Sequence, residues 1–328
     1  MTVSAIPAPS PAAILRACGW LTGGAGLVGL RNLSSTHSVH LATRSDGVEA
    51  IVKQRKPDGK RGLAPELFVY RLAGWTPRLG TVLARPLHVD EGAQVLALEA
   101  LPAAHRNMLP ARRAGFARLV GRTLAAVHGA TLDIAMPFSP ALGILEMPDN
   151  TEFACRDRPG QTRTLMHRIA NDAALAGALR AGKAAWHPRC LIHGDIRPDH
   201  WVEMPDGTLR LIDWEMAGGG DPALDFAAAM VEAALDRVRS GSTEAAWLAD
   251  ARESVSELAQ GYQEEKGPID FTDADARTQI IHLGVARLLH VACEWTDAGG
   301  FERSIETVLG QAHALLDEAD AASAMLSA

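Results

Sequence analysis

The sequence predicts an α+β protein with two parts: a small antiparallel sheet that carries one helix, and a larger, mainly helical part. Between Gly24 and Lys56, apolar residues alternate with polar ones and turn residues interrupt them, which predicts the sheet. After Pro102 the apolar spacing becomes helical and stays so over most of the remaining chain. We therefore expect the boundary between the two parts near Leu101 to Ala104.

The predicted sheet has five strand-like runs and one helix. Its first hairpin is indicated by the turn Arg44-Ser45-Asp46-Gly47, which joins two alternating runs and ends in glycine. In chain order, the predicted elements are strands at Leu27 to Asn32, Ser38 to Thr43 and Val48 to Lys53, a helix at Leu63 to Leu72, and strand-like runs at Gly80 to Pro86 and Gln94 to Leu98. The last two flank the turn residues Asp90, Glu91 and Gly92.

The second part is predicted to be helical except for two short apolar runs, Cys190 to His193 and Leu209 to Asp213, which enclose the turn Pro205-Asp206-Gly207. The predicted helices are Arg112 to His128, Arg163 to Ala185, Ala223 to Arg239, Glu244 to Gln263, Asp273 to Glu294 and Phe301 to Ala321. We expect a disordered arm at residues 1–12, a sheet lobe at 13–101 and a helical lobe at 102–328.

Composition and charge narrow the class of protein. The 328 residues are 47% hydrophobic and 22% charged, which is typical of a soluble globular chain. The net charge of −7 argues against a broad basic face, so we expect neither nucleic acid nor a membrane as a partner. The four cysteines match no disulfide framework, which favours reduced thiols in a cytoplasmic protein. The Ala- and Pro-rich arm lacks the segments of a secretory signal.

The densest group of unusual residues is the segment His193 to His200, followed by Ile212-Asp213-Trp214-Glu215. Asp195 and Asp213 each lie where an apolar strand-like run gives way to an open loop. One carboxylate near a substrate hydroxyl can accept its proton, and a second can hold a divalent metal that bridges phosphate oxygens. Phosphoryl transfer needs both functions. The alternative is that the two aspartates cap neighbouring turns.

The spacing of these motifs resembles the aminoglycoside phosphotransferase and choline kinase group of the protein-kinase-like fold. That group has a strand, His-Gly-Asp, a hairpin, Asp-Trp-Glu, and then a Gly-Asp-Pro segment with a further Asp, which Asp221 to Ala227 match here. The resemblance implies that Asp195 is the catalytic base, Asp213 the principal metal ligand and Asp225 a buried anchor of the catalytic loop. It also implies two lobes, a small antiparallel sheet lobe and a larger, mainly helical one.

The resemblance extends to the predicted sheet. Lys53 ends the third strand as the phosphate-pairing lysine of a kinase hairpin does. Glu66 stands on the following helix, where the glutamate that pairs with this lysine belongs. Taken alone, the two would be an ordinary strand-end lysine and an exposed helix residue, but their order and spacing favour the ion pair.

The same resemblance implies the remaining contacts with the nucleotide. The polar turn between the first two strands contains Ser35 and Thr36, whose backbone amides and hydroxyls would cover the phosphates. Glu99 and Leu101 would lie in the hinge between the lobes, where the backbone holds the nucleobase. These four residues are therefore our further candidates for nucleotide binding.

One position departs from the family pattern. Five residues after Asp195, where the family has Asn at a metal position, this chain has His200, and an imidazole is a poor ligand for Mg²⁺. Three consequences stay open: His200 binds a softer metal such as Mn²⁺, it donates to phosphate while one Mg²⁺ stays on Asp213, or the kinase is weakened or silent. We favour the second, because Lys53, Glu66 and both aspartates are present.

Two further features concern the acceptor. Arg197, inside the catalytic loop, either offers its guanidinium to the transferring phosphoryl group or pairs with Asp199 or a neighbouring carboxylate. Glu215, Asp221 and nearby acidic residues predict a negative acceptor side, which would suit a cationic acceptor such as an amino sugar or an Arg/Lys-bearing peptide. The alternative for these acidic residues is a solvated rim.

We therefore expect an ATP- or GTP-dependent phosphotransferase that uses Mg²⁺, or Mn²⁺, and acts on a hydroxyl of an amino sugar, an amino alcohol or a peptide. One alternative is the kinase subunit of a lanthipeptide-type synthetase, which phosphorylates Ser or Thr of a precursor peptide before elimination. Another is a non-catalytic nucleotide-binding scaffold. The C-terminal helices would form either an acceptor pocket or a docking face for a partner protein subunit.

Overall fold

The computed structural model describes residues 9–34, 36–56, 62–101, 115–140, 143–241, 248–299 and 302–327. Within these ranges the chain forms two compact units. The first contains the described residues up to 101 together with Trp201–Glu215, a segment that the sequence-based boundaries assign to the helical lobe. The second contains the described residues from 115 to 200 and those from Met216 onward. None of the described helices has the length and apolar character that a membrane span requires.

The sheet of the first unit has five strands in the order β1-β2-β3-β5-β4, and every neighbouring pair is antiparallel. The strands are β1 (Leu27–Asn32), β2 (Ser38–Arg44), β3 (Glu49–Gln54), β4 (Pro86–Asp90) and β5 (Val95–Glu99). The predicted first hairpin is confirmed, and β1, β2, β3 and β5 begin and end within one residue of their predicted bounds. Alternating apolar residues bounded by turn residues therefore located these four strands.

Each face of this sheet meets a helix. Helix α1 (Pro11–Ala17) packs Ile14 and Leu15 into a core with the sheet residues Ala42 and Ala50. Helix α2 (Ala64–Ala73) begins close to its predicted start, and its Glu66 contacts Lys53, whose side chain leaves the opposite face because side chains alternate along β3. The predicted arm ended at residue 12, whereas α1 begins at Pro11, and residues 1–8 lie outside the described ranges.

The predicted strand at Gly80 to Pro86 is wrong. Gly80 ends a short helix, α3 (Pro77–Gly80), and β4 begins only at Pro86. Pro77 suits the first turn of α3, because its fixed backbone angle is helical there and an amide hydrogen is not needed. The apolar run at 82–84 is nevertheless buried, so its composition reflects burial rather than a strand.

The second unit is mainly helical, as predicted. Its helices are α4 (Phe116–Ala130), α5 (Gly143–Glu146), α6 (Thr151–Cys155), α7 (Gly160–Asn171), α8 (Ala173–Ala184), α9 (Pro222–Arg239), α10 (Leu248–Glu264), α11 (Ala274–Asp297), α12 (Glu302–Asp317) and α13 (Ala319–Leu326). The predicted helix at Arg163 to Ala185 is two helices, because Asp172 leaves the helical conformation and its side chain caps α8. The predicted starts at Arg112 and Glu244 lie outside the described residues.

Four short strands hold the loops that carry the candidate residues. β6 (Cys190–Ile192) pairs with β9 (Gly218–Gly220), and β7 (Trp201–Glu203) pairs with β8 (Leu209–Leu211). The sequence analysis located the runs that became β6 and β8 but neither of their partners. β9 consists of three glycines, which have little strand propensity, and a Cβ on Gly220 would lie 2.3 Å from Ile192. The side chain of Ile192 thus occupies the space that a larger residue at position 220 would need.

Helix α11 is the longest described helix of the second unit and is buried over much of its length. It packs against α8, α9 and α12. Apolar residues on several of its faces meet these neighbours, as is typical of a central helix. A polar residue in the middle of such a helix is therefore buried, and Arg287 is one.

Candidate active site

In the first unit, Lys53 joins three segments of the chain. Its Nζ lies 2.6 Å from Glu66 Oε2 and 2.5 Å from Asp213 Oδ1. Lys53 belongs to β3 and Glu66 to α2, and both are buried, whereas Asp213 follows β8 and its side chain is 40% exposed. The ammonium group therefore holds Asp213, the more exposed of the two carboxylates, against a buried ion pair.

Burial and charge compete in this group. Burial alone would lower the pKa of Lys53, but the carboxylates of Glu66 and Asp213 outweigh it and raise that pKa. Burial raises the pKa of Glu66, and the nearby ammonium offsets part of this effect. Lys53 therefore stays protonated at neutral pH, and its charge is what allows a buried carboxylate beside it.

The backbone at Asp213 is strained. Its φ angle is +67°, in the left-handed region that aspartate tolerates better than most residues. The next residue, Trp214, is fully buried, and its Nε1 donates a hydrogen bond to the carbonyl of Leu211 at 2.9 Å. Trp214 therefore packs beneath the loop, and the strained conformation turns the Asp213 carboxylate toward Lys53.

The polar turn between β1 and β2 is closed by Ser34, whose Oγ accepts the amide hydrogen of Val39 at 2.9 Å. Ser35 lies outside the described residues, and Thr36 is exposed. His37 is buried, and its Nε2 lies 3.2 Å from Glu215 Oε2. The turn thus contacts the segment that follows Asp213.

The two predicted hinge residues lie at the end of the sheet. Glu99 is the last residue of β5, and its Oε2 accepts a hydrogen bond from Arg85 Nε at 2.8 Å on the surface. Leu101 is buried. The amide of Glu99 also donates a hydrogen bond to the carbonyl of Arg85 at 3.0 Å, so both its side chain and its amide have partners at this end of the sheet.

In the second unit, Asp225 of α9 anchors the loop that contains Asp195. Asp225 is buried and accepts hydrogen bonds from the amides of His193 at 2.6 Å and Gly194 at 2.9 Å. His128 of α4 lies between it and α10: Nε2 is 3.3 Å from Asp225 Oδ2, and Nδ1 is 2.8 Å from Tyr262 Oη. Burial alone would raise the pKa of Asp225, but the contacts with His128 and His193 hold it below its ordinary value.

Gly194 is required where the chain turns from β6 into this loop. Its φ angle is +78°, which L-residues with a side chain rarely adopt. A Cβ at this position would also lie 2.6 Å from the carbonyl oxygen of Met216. The glycine of the His-Gly-Asp motif therefore sets the direction in which Asp195 leaves the strand.

Asp195 is held by its backbone and by one side-chain oxygen. Its amide donates to His193 Nδ1 at 3.3 Å, and its carbonyl accepts from His200 Nδ1 at 2.8 Å. Its Oδ1 lies 3.4 Å from Nη1 of Arg287, and its side chain is 22% exposed. Because a carbonyl only accepts, His200 Nδ1 carries a hydrogen, and Nε2 of the neutral ring carries the lone pair.

Arg197 lies near two carboxylates without a close bond to either. Its Nε is 3.6 Å from Asp199 Oδ1, and its Nη1 is 4.0 Å from Glu294 Oε1. Both distances exceed that of a hydrogen bond, and the side chain is partly exposed. The guanidinium is therefore placed among acidic groups that raise its pKa, Asp195 included, although burial opposes them.

The prediction that Asp221 contributes to a negative acceptor side is wrong. Asp221 is buried and caps α9: Oδ1 accepts the amide hydrogen of Ala223 at 2.9 Å, and Oδ2 that of His187 at 3.1 Å. Glu215 lies beside His37 in the first unit. The acidic residues that suggested a cationic acceptor therefore have structural neighbours instead.

Sequence reasoning missed Arg287, which contacts Asp195 and the carbonyl of Ile196. An arginine in a helix is usually a surface residue, so its type alone carries no functional signal. Its setting did carry one, because the surrounding residues 283–291 are mostly apolar and predict burial on every side of the helix.

The comparison with protein families identifies the chain. The model of the phosphotransferase enzyme family (APH) matches residues 29–267, well over half of the sequence. The chain belongs to this family. The resemblance inferred from the motifs is thereby confirmed, and the activity of a phosphotransferase, a kinase acting on an alcohol group, comes with it. Among curated proteins, no sequence matches this phosphotransferase significantly.

Solved structures place this phosphotransferase in the protein-kinase-like fold. An aminoglycoside phosphotransferase from Alicyclobacillus acidocaldarius is 15% identical, with a TM-score of 0.58 over 99% of this chain and 97% of its own. The choline kinase LicA from Streptococcus pneumoniae is also 15% identical, with a TM-score of 0.58 over 93% and 98%. LicA in complex with AMP is 14% identical, with a TM-score of 0.52 over 95% and 96%. At such identities the likeness establishes the fold.

The buried ion group makes a prediction about stability. Lys53→Met should lower the free energy of unfolding by about 3–5 kcal/mol, because Glu66 is left buried without its counter-charge. Adding Glu66→Gln should recover most of the loss. Without Lys53, the folded-state pKa of Glu66 rises further above its unfolded value of about 4.3, so the loss should be smaller near pH 4 than at pH 8. Denaturant titrations at both pH values measure this.

The control for this cycle is Lys183→Met. Lys183 is a more exposed lysine that contacts Glu146 and Asp149, and its removal should cost no more than about 1 kcal/mol. Equal losses in the Lys53 single variant and the double variant with Glu66→Gln would contradict a buried pair.

The anchor of the catalytic loop makes a second prediction. Asp225→Asn places an amide group opposite backbone amides that need an acceptor, so it should destabilise the protein by about 1–3 kcal/mol. Because the folded-state pKa of Asp225 is lowered, its contribution to stability is present above the unfolded pKa and is lost as the pH falls through the folded one. Asp236→Asn, the same change on the same helix, should be nearly neutral. Thermal melts between pH 3 and 8 that fail to separate the two variants would refute the anchor.

Proposed function

We propose that the protein transfers the terminal phosphoryl group of ATP or GTP to a hydroxyl of a small molecule. The observation that carries this proposal is the position of Lys53 Nζ between Glu66 and Asp213. A fixed ammonium beside a partly exposed carboxylate suits a nucleotide, because the first pairs with phosphate oxygens and the second with their metal ion. The turn with Ser35 and Thr36 would cover the phosphates, and the backbone of Glu99 and Leu101 would hold the nucleobase.

In this proposal, Asp195 orients the acceptor hydroxyl and takes its proton. Three features of the loop support the role: its backbone is anchored by Asp225, Gly194 sets its direction, and the Asp195 side chain is partly exposed. An ionised carboxylate within reach of a hydroxyl supplies general-base catalysis. Arg197, two residues later, would offer its guanidinium to the phosphoryl group in transfer, since no close bond ties it to Asp199.

A divalent ion would be held by Asp213, whose carboxylate oxygens suit Mg²⁺. The described residues include no group of three or more His, Cys, Asp or Glu arranged for a metal, so the phosphates themselves would complete its coordination. When bound, such an ion neutralises charge that develops on phosphate oxygens. His200 fits Mg²⁺ poorly, because the ligand that its neutral ring offers is Nε2, a nitrogen that suits Mn²⁺ better.

The acceptor class is inferred from the relatives. An aminoglycoside phosphotransferase and a choline kinase share the fold, so amino sugars and amino alcohols are the first acceptors to test. Ser/Thr-rich peptides test the alternative of a lanthipeptide-type kinase subunit with a partner protein. Labelled ATP with this panel separates the classes, and nucleotide binding without transfer to any acceptor would favour a scaffold.

Two substitutions should separate nucleotide binding from transfer. Asp195→Asn should leave nucleotide binding nearly unchanged and lower transfer by about 10²-fold or more, because the base is lost. Asp213→Asn should weaken the binding of the metal-nucleotide complex as well. Calorimetry with Mg²⁺-ATP and a labelled-phosphate assay measure the two effects. Parental transfer by the Asp195 variant would overturn the assigned base.

His200 makes a prediction about metal preference. His200→Asn introduces an oxygen ligand that suits Mg²⁺, so it should raise the ratio of turnover with Mg²⁺ to turnover with Mn²⁺. His187→Asn, at an exposed histidine whose amide donates to the cap residue of α9, is the control and should leave the ratio unchanged. A ratio that does not move in the His200 variant would favour the donor role of this histidine, or none.

A further inference from the structure

Arg287 is a buried charge that touches the catalytic loop at two consecutive residues. Its side chain is 6% exposed in the middle of α11. Nη1 lies 3.4 Å from Asp195 Oδ1, and Nη2 donates to the carbonyl of Ile196 at 3.1 Å. Nη2 also lies 3.4 Å from Oε1 of Glu232, on α9. One guanidinium therefore connects the loop to two helices of the second unit.

Burying a charged guanidinium in a helix core carries a large desolvation cost. A buried guanidinium must recover its hydration energy from partners, yet two of the three contacts of Arg287 are long. Its Nε is buried and has no hydrogen-bond partner among the residues that the structure describes. An apolar side chain of similar length would fill the same space at lower cost. The charge of Arg287 is therefore better explained by its contacts with the catalytic loop than by a contribution to core packing.

The contacts of Arg287 leave the two oxygens of Asp195 in different positions. Oδ1 faces Nη1 of Arg287, whereas no hydrogen bond or ion pair reaches Oδ2 from the described part of the chain. The guanidinium is planar, so its hold on the carbonyl of Ile196 and on Oδ1 fixes the loop and the carboxylate together. Oδ2 is then the oxygen that can receive a proton from an acceptor.

We propose that Arg287 is a positioning residue, which orients the Asp195 carboxylate so that one oxygen is held and the other is presented to the acceptor hydroxyl. This inference rests on the proposed role of Asp195 as the base. Arg287 itself does not touch the reacting atoms in this account. It acts through Asp195, and its removal should therefore matter only while Asp195 is a carboxylate.

The test is a double-mutant cycle in turnover. Single-turnover release of labelled phosphate from Mg²⁺-ATP, with water as the acceptor, is measured for Arg287→Met, Asp195→Asn and the double variant. Arg287→Met should lower the rate by about 10²-fold, the loss expected when a catalytic group is misplaced. The double variant should be no slower than Asp195→Asn, and Arg287→Lys should recover part of the rate. The dissociation constant for Mg²⁺-ATP, measured by calorimetry, should change little in all of them.

Arg277→Met is the matched control. Arg277 lies on the same helix, and its guanidinium bonds the carbonyl of Phe271 and the hydroxyl of Ser323, away from the catalytic loop. It should leave the rate unchanged. Hydrogen exchange over residues 193–200 is the second measurement, and it should increase in Arg287→Met but not in Arg277→Met.

The outcomes separate this inference from the proposed function. Full activity in Arg287→Met, or losses that add to those of Asp195→Asn, would overturn the positioning role while leaving Asp195 as the base. An equal loss in Arg277→Met would also overturn it, because the effect would then be that of a damaged helix. Full activity in Asp195→Asn would instead refute the proposed function.

Discussion

A buried ammonium group that must be compensated determines the arrangement of the first unit. Lys53 and Asp213 are 160 positions apart in the chain, yet their side chains meet at 2.5 Å. Burying a lone charge costs several kcal/mol, so β3, α2 and the loop after β8 are favourable together only if Glu66 and Asp213 reach the same nitrogen. The left-handed backbone of Asp213 is tolerated because this contact compensates for its strain.

In the second unit, the loop that contains Asp195 is also held by a buried charge, but here that charge is negative. The buried carboxylate of Asp225 accepts hydrogen bonds from consecutive backbone amides, which fixes the point where β6 ends. Arg287 then approaches the loop from α11 and holds Asp195. In both units, buried charges on regular elements fix the loops, and the loops carry the more exposed carboxylates. The reactive groups on these loops are thereby held in fixed positions.

The sequence predicted those elements whose signal is local. Alternation and a turn ending in glycine located β1, β2 and β3, because a half-buried strand shows its pattern in its own residues. β9 was not predicted, because its three glycines carry no strand pattern of their own. The predicted strand at 80–86 was wrong, because a buried apolar run has the same composition in a strand and in an irregular segment.

Those residues of the candidate site that belong to sequence motifs could be predicted. Asp195 and Asp213 could be named from their spacing, and Lys53 from its place at the end of a strand. Arg287 could not, because its role depends on a contact between α11 and a loop 92 positions away. The error at Asp221 has the same origin, since only the structure shows that this carboxylate caps a helix.

The most direct measurement of the central claim compares ATP with adenosine as ligands of the parental protein and of Lys53→Met, by calorimetry well below the melting temperature of the variant. If Lys53 meets the phosphates, the affinity for ATP should fall by about tenfold or more, the equivalent of about 1.4 kcal/mol, while the affinity for adenosine stays the same. An ATP affinity that does not change, or an equal fall for adenosine, would contradict the account.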